Sequence, residues 1–223
     1  MDVFLKGTVV DLRVPNIEND IIQGDWHTWF NNDEVTKYLH QGVYPNTREN
    51  QMKYVTDALN RKDWIMLSII DKKTEEMCGV VSLKDIDLIN RVAEVSLVMG
   101  NKIYTPGAPF EAIAMMTEYG FQKLNLNRIQ AGQIEGLWQW VNQLTLLGYK
   151  IEGLLRQPLI RYGKKHDAVR MAILSEDFYT ILESRKGKYL TDNMMKLLKQ
   201  RKDINLIKEF KVLIGKFYDE NYN

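Results

Sequence analysis

The sequence predicts an α+β fold: a curved, mixed and mostly antiparallel sheet with helices on both faces, followed by a helical C-terminal extension. Three observations carry this prediction. Apolar runs of period two alternate with segments of helical period, in the order β–αα–ββ–β–α–β–α–ββ. The strand-like run Arg91–Met99 passes through a glycine-containing turn directly into a helical run. Beyond Leu174 the pattern changes to lysine-rich segments with apolar residues at helical spacing.

Gly7–Val14 alternates as a strand, and Asn16–Asp20 breaks it. Asp25–Leu39 places Trp26, Trp29, Phe30, Val35 and Leu39 at helical spacings, with Asn31, Asn32 and Asp33 as a turn and a new N-cap. Asn46 is the expected N-cap of a second helix, with Glu49 at its third position as in a capping box. Trp64–Asp71 and Met77–Leu83 read as strands joined by a hairpin turn at Lys72–Glu75, and Arg91–Met99 as the next strand. Pro109–Lys123 reads as a helix, Arg128–Gln133 as a strand and Leu137–Leu147 as a helix, while Lys150–Leu154 and Ala168–Leu174 close the sheet. One further helix is expected over Asp192–Asp219, with Met195, Leu197, Ile207, Phe210 and Leu213 on its apolar side. Such a helix is expected to dock on its own domain or to pair with a second subunit as a homodimer, ahead of a third reading in which its basic side meets an anionic surface.

Composition narrows the function classes. The 223 residues are 45% hydrophobic and 26% charged, as in ordinary globular proteins. A net charge of +1 supplies no general field for nucleic acid. His27, His40 and His166 share no ligand spacing, so no metal is expected. Cys78 is the one cysteine and sits in an apolar run, which predicts a buried thiol; no signal-like segment or bilayer-length apolar stretch is seen, and a reducing, cytoplasmic location follows as the expectation.

The chemistry is expected at the junction after Arg91–Met99. Pro109 suits a first helical position, and Glu111 complements the positive end of the helix dipole. A strand, a glycine turn and a helix N-terminus together form an anion site suited to a pyrophosphate.

Residues around this junction, Gly107, Glu111-Ala112, Phe121, Leu124, Leu126, Arg128, Gly148-Tyr149, Glu152-Gly153 and Arg156, stand in the order that resembles the GNAT acetyltransferase superfamily. The resemblance runs from about Gly7 to Leu174, which suggests a domain over 1–174 and an added segment over 175–223. It implies acetyl-CoA as co-substrate and no metal. The pantetheine would lie along Leu97, Val98 and Met99, and the pyrophosphate on the amides of Tyr104, Thr105, Gly107, Ala108 and Phe110. The pattern departs at Tyr104 and Pro109, where the family has Gln or Arg and Gly or Ala. Pro106 and Pro109 offer no N–H. The positions of the family's Asn and acid Tyr hold Leu137 and Leu144.

In the family a carboxylate on the strand before the turn takes the amine proton. Glu94 occupies that strand, two residues from Ser96 and so on the same face. Glu94 and Ser96 are therefore the catalytic candidates, with Glu135 as runner-up and Tyr104 and Tyr119 as proton donors. Trp26–Tyr54 resembles a subgroup acting in surface-sugar biosynthesis, implying an amine on a nucleotide-linked amino sugar as small-molecule acceptor. Trp29, His40 and Tyr44 are the candidate acceptor contacts, although the spacing of Trp29 favours a buried helix stripe. Two alternatives stay open: acetylation of a protein N-terminus, and a GNAT-like module without catalysis that serves in binding or structure.

Overall fold

The computed structural model describes residues 3–100, 103–190 and 193–222. Asn101 and Lys102 of the expected turn, and Asp192 at the expected start of the tail helix, lie outside the described residues. The chain forms two compact units, residues 1–129 and 130–223. The segment expected as an extension, 175–223, thus shares a unit with the last strands.

In the first unit β1 (Val3–Lys6), β2 (Val10–Arg13), β3 (Ile65–Asp71), β4 (Met77–Asp87) and β5 (Val92–Met99) follow one another as an antiparallel meander. The strand expected over Gly7–Val14 is present as β2 in Val10–Arg13, whereas Gly7–Val9 form a reversal from β1, closed by the Gly7 N–H donating to the Val10 carbonyl at 3.0 Å. The cause lies in a later helix, α4 (Ala108–Gln122). Its Glu111 carboxylate accepts from the amides of Thr8, Val9 and Val10 at 2.7, 2.7 and 2.8 Å. Two consecutive amides on one carboxylate cannot both lie in a flat ladder, so the chain turns there.

One face of the meander carries α1 (Trp26–Trp29), α2 (Asp33–Thr36) and α3 (Arg48–Asn60). Asn32 caps α2 as expected, its side chain accepting from the Glu34 N–H at 2.9 Å. The cap of α3 is Thr47 rather than Asn46: the Thr47 hydroxyl accepts from the Asn50 N–H at 3.1 Å. Asn46 is used for tertiary bonds, donating to the His27 carbonyl and to Gln51 Oε1. Trp26, Trp29, Val55 and Ala58 bury themselves with Met66 and Val80 of the strands. Each large apolar side chain so removed from water stabilises the fold by about 1.5–3 kcal/mol. Cys78 is buried, as expected, with its Sγ 3.6 Å from the Ile69 carbonyl oxygen. Helix α4 packs on β2–β5; Gly120 of α4 lies close to Leu83 of β4, and Leu83 falls on the strand face opposite Val80.

The second unit holds β6 (Arg128–Ile134) from Gln130 onward, α5 (Trp138–Leu146), β7 (Lys150–Arg161) and β8 (Lys164–Leu174), with strand order β6-β8-β7. β7 and β8 form one antiparallel hairpin, longer than the two short strands expected from the sequence. Behind them come α6 (Ser175–Ser184), α7 (Met194–Lys199) and α8 (Leu206–Tyr222). The one tail helix expected is thus interrupted between Lys199 and Leu206. The buried side chain of Asn142 in α5 donates to the carbonyls of Lys202 and Ile204, which are then unavailable to a helical ladder. Asn205 restarts the helix by accepting from the Lys208 N–H at 3.0 Å. Helix α8 docks on α5 and β7, and Leu206 and Phe210 line a groove of about 480 Å³ with Thr145, Tyr149 and Ile151.

Candidate active site

The site builds outward from the end of β5. Val98 pairs with Val80, Ser96 with Ser82 and Glu94 with Lys84 across β4 and β5. Val80 belongs to the cluster under α1–α3, so strand alternation sets Glu94, Ser96 and Val98 on that same face. The Glu94 side chain is 19% exposed, and its neighbour is not apolar: Lys84 Nζ lies 2.9 Å from Oε1. Glu94 therefore sits in a cross-strand ion pair. Leu97, Val98 and Met99 are half-buried. In an antiparallel strand, half of their backbone groups point away from β4.

Gly100 ends the strand because nothing larger fits: a Cβ there would stand 2.5 Å from the Trp29 ring. Trp29 is 2% exposed, and its indole N–H donates to Asp25. It is a core residue that shapes the strand end, which corrects its place among acceptor contacts. His40 is exposed, and Tyr44 is 84% exposed on the loop before α3.

At the start of α4, Gly107 adopts φ +97°, a conformation that favours glycine. The amide inventory differs from the expected one. The Thr105 N–H donates to the Asp71 carboxylate and its hydroxyl donates to the same group at 3.1 Å. The Ala108 N–H donates to the Thr105 carbonyl at 3.0 Å. Thr105 and Ala108 are thereby removed from the set of free donors. Among the described residues the amides of Tyr104, Gly107 and Phe110 carry no hydrogen bond. Two of these open the 15-residue helix α4, where unpaired N–H groups and the dipole favour an anion. The residues present thus fit a phosphate group. The Ala108 and Phe110 side chains are fully buried and anchor this turn in the core. Burial, with a smaller contribution from the Cys78 thiol, pushes the Tyr104 phenol up, so it keeps its proton.

Glu111 stands in the first turn of α4, as expected, but its carboxylate has a further use. Its carboxylate is buried and spent on Thr8–Val10. Tyr119 packs its ring against Phe4 at 5.4 Å between centroids, a packing role. Leu144 is buried in α5, while Leu137 sits half-buried in the turn before it.

Glu135 belongs to the second unit and lies on the single 3₁₀ turn Glu135–Leu137. Lys211 of α8 donates to Glu135 Oε2 at 3.0 Å and lies 2.6 Å from Asp167 Oδ2. The Asp167 N–H donates to Glu135 Oε1 at 3.2 Å, and His166 Nδ1 is 3.9 Å from that oxygen. Glu135 therefore helps to pin the tail. Burial works against the ionised form of Asp167, but the bonds from Lys211 and Gln157 outweigh it and hold the carboxyl below its usual range. A lowered carboxylate pKa adds stability above about pH 4, and this is lost as pH falls through the folded value. Lys211→Met is expected to cost about 1 kcal/mol at neutral pH, since the group is partly exposed, and to flatten the acid limb of a thermal-melting profile. An unchanged profile would remove Lys211 from tail docking.

Among the described residues no three His, Cys, Asp or Glu side chains gather as a metal site, and no helix is long and apolar enough to cross a membrane. Asp71 and Lys84 went unassigned in the sequence. Asp71 left one signal, an Asp preceding a four-residue turn, where its side chain caps the turn amides.

The chain matches the family model described as acetyltransferase (GNAT) domain over residues 12–134. It is 29% identical over 154 residues to an uncharacterized N-acetyltransferase, p20, of Bacillus licheniformis, covering 67% of this chain and 85% of that one. It is 25% identical over 155 residues to spermidine N(1)-acetyltransferase of Escherichia coli K12, covering 68% and 80% respectively. A solved spermidine N-acetyltransferase from Vibrio cholerae, in complex with CoA and spermine, superposes with a TM-score of 0.69 at 21% identity, covering 78% of this chain and 99% of that one. Enzymes of this family use acetyl-CoA to acylate amines. With the meander, the junction at Gly107 and the family match in agreement, this chain belongs to the GNAT acetyltransferases and is an acyl-CoA-dependent N-acetyltransferase.

Proposed function

We propose that the chain acetylates a primary amine of a small cationic acceptor of the polyamine class. The CoA pyrophosphate is assigned to the amides of Tyr104, Gly107 and Phe110, and the pantetheine to the backbone of Leu97–Met99. The observation that carries the donor half is the pair of unpaired amides at Gly107 and Phe110. The acceptor half draws support from relatives named as spermidine acetyltransferases and from the Glu94 carboxylate beside Ser96 on the helix-covered face. The amine lone pair attacks the thioester carbonyl, the C–S bond breaks, and CoA leaves as a thiolate. Glu94 takes the amine proton, directly or through water, and the departing thiolate takes a proton from solvent. Binding the two substrates side by side supplies much of the rate by proximity.

The exposed Tyr44, beside His40 on one loop, favours a second reading, a nucleotide-linked amino sugar stacked on that ring. The test is CoA-thiol release from acetyl-CoA with spermidine, spermine and a uridine-diphosphate amino sugar offered separately. Turnover with the polyamines at least about tenfold above the sugar nucleotide, a difference near 1.4 kcal/mol, is expected. Turnover with the sugar nucleotide alone would transfer the assignment to the second reading.

A further inference from the structure

We propose that Asp71 is a positioning residue for the acyl-CoA turn: it fixes the path of the chain from Thr105 to Gly107 so that the amides opening α4 face the donor. The inference rests on the acyl-CoA reading above and deepens it, since Asp71 is assigned no contact with the reacting atoms.

Asp71 is the last residue of β3 and is fully buried. Its backbone is held between Val10 of β2 and the Glu76 carbonyl. The carboxylate gathers the Thr105 N–H and hydroxyl together with the N–H groups of Lys73 at 2.8 Å and Thr74 at 3.3 Å. One side chain therefore ties the β3–β4 hairpin turn to the segment that leads into α4. Two residues after Thr105, Gly107 turns the chain into the helix. The Thr105 amide faces inward because Asp71 holds it, which leaves the neighbouring amides of Tyr104 and Gly107 without acceptors among the described residues.

Two effects of this carboxylate oppose each other. A negative charge near an anion site repels the anion, so removing it would tighten CoA binding. Losing the tether would let the turn move and weaken binding. Bonds to a buried carboxylate are among the stronger protein hydrogen bonds, whereas a charge already satisfied by several donors projects little further field. The tether is expected to win.

The experiment compares the wild type with Asp71→Ala, Thr105→Val and Thr105→Ser, reading the Kd for CoA by titration calorimetry and kcat and KM separately for acetyl-CoA and the acceptor. Asp71→Ala is expected to raise the Kd and the acetyl-CoA KM by about tenfold or more, as loss of charge-assisted bonds implies. Thr105→Val, which removes only the hydroxyl donor, is expected to raise both by about threefold, and Thr105→Ser to restore most of the affinity. The acceptor KM should not move. A purely structural role would lower the active fraction while leaving the acetyl-CoA KM as it was. Should Asp71→Ala fail to fold, Thr105→Val decides by itself. Unchanged or tighter CoA binding in the folded variants, with a wild type that binds CoA, overturns the assignment of Asp71 alone. A wild type that binds no CoA overturns it together with the acyl-CoA reading.

Discussion

Glu111→Ala is expected to lower the stability of the first unit by about 3–5 kcal/mol, the largest effect of any single side chain at the α4 start. The carboxylate accepts three amides, from Thr8, Val9 and Val10. Hydrogen bonds to a charged group contribute about 1.5–3 kcal/mol each, and an unmade buried one costs about 1–3 kcal/mol. Simple addition overstates the total, because Thr8 and Val9 are only partly buried and water can replace part of the loss. For a chain of this size the drop in melting temperature should be on the order of 10 °C. Glu111→Gln, which keeps one carbonyl acceptor, should lose about half as much. Circular-dichroism melting of both variants checks this. A loss under about 1 kcal/mol for the alanine variant would mean that the β1–β2 reversal is held by packing and not by this carboxylate.

Glu94→Gln is expected to reduce kcat by about a hundredfold or more, the range for losing a general base, with the Kd for CoA unchanged. The substitution keeps the size of the side chain and removes its charge, so the ion pair with Lys84 goes too. That pair is partly exposed and contributes little stability, so a folded protein with slow turnover is the expected product. Steady-state kinetics at saturating acetyl-CoA, with calorimetry of CoA binding alongside, separates the two effects. Turnover equal to wild type would take Glu94 out of the mechanism and leave Ser96, or a water held elsewhere on that face, as the proton's first acceptor.

Much of the first unit was legible because period and punctuation act locally. The Lys72–Glu75 turn between two apolar runs marks a hairpin, and Asn32 caps α2 where an Asn precedes Asp-Glu. At the site the legible part was the junction itself: Gly107 where φ is +97°, and the Ala108–Gln122 helix behind it. Trp29, a candidate acceptor contact whose spacing favours a buried stripe, is in the core for a packing reason. Its ring fills the space beside Gly100, and a sequence pattern does not distinguish an aromatic residue on a pocket wall from one in a core.

The sequence by itself determined the α+β order of elements, that Glu94 and Ser96 share one face of β5, and the strand–glycine–helix junction. These depend on spacings of two to four residues, which the chain displays directly. Tertiary structure alone decided how many amides that junction offers, where the first strand breaks and where the tail helix is interrupted. Each was settled by a polar side chain reaching a backbone group far away in sequence: Asp71 to Thr105 across 34 residues, Glu111 to Val10 across 101, and Asn142 to Ile204 across 62. A buried donor or acceptor must find a partner wherever the fold brings one, and a partner chosen by the fold leaves no period in the sequence.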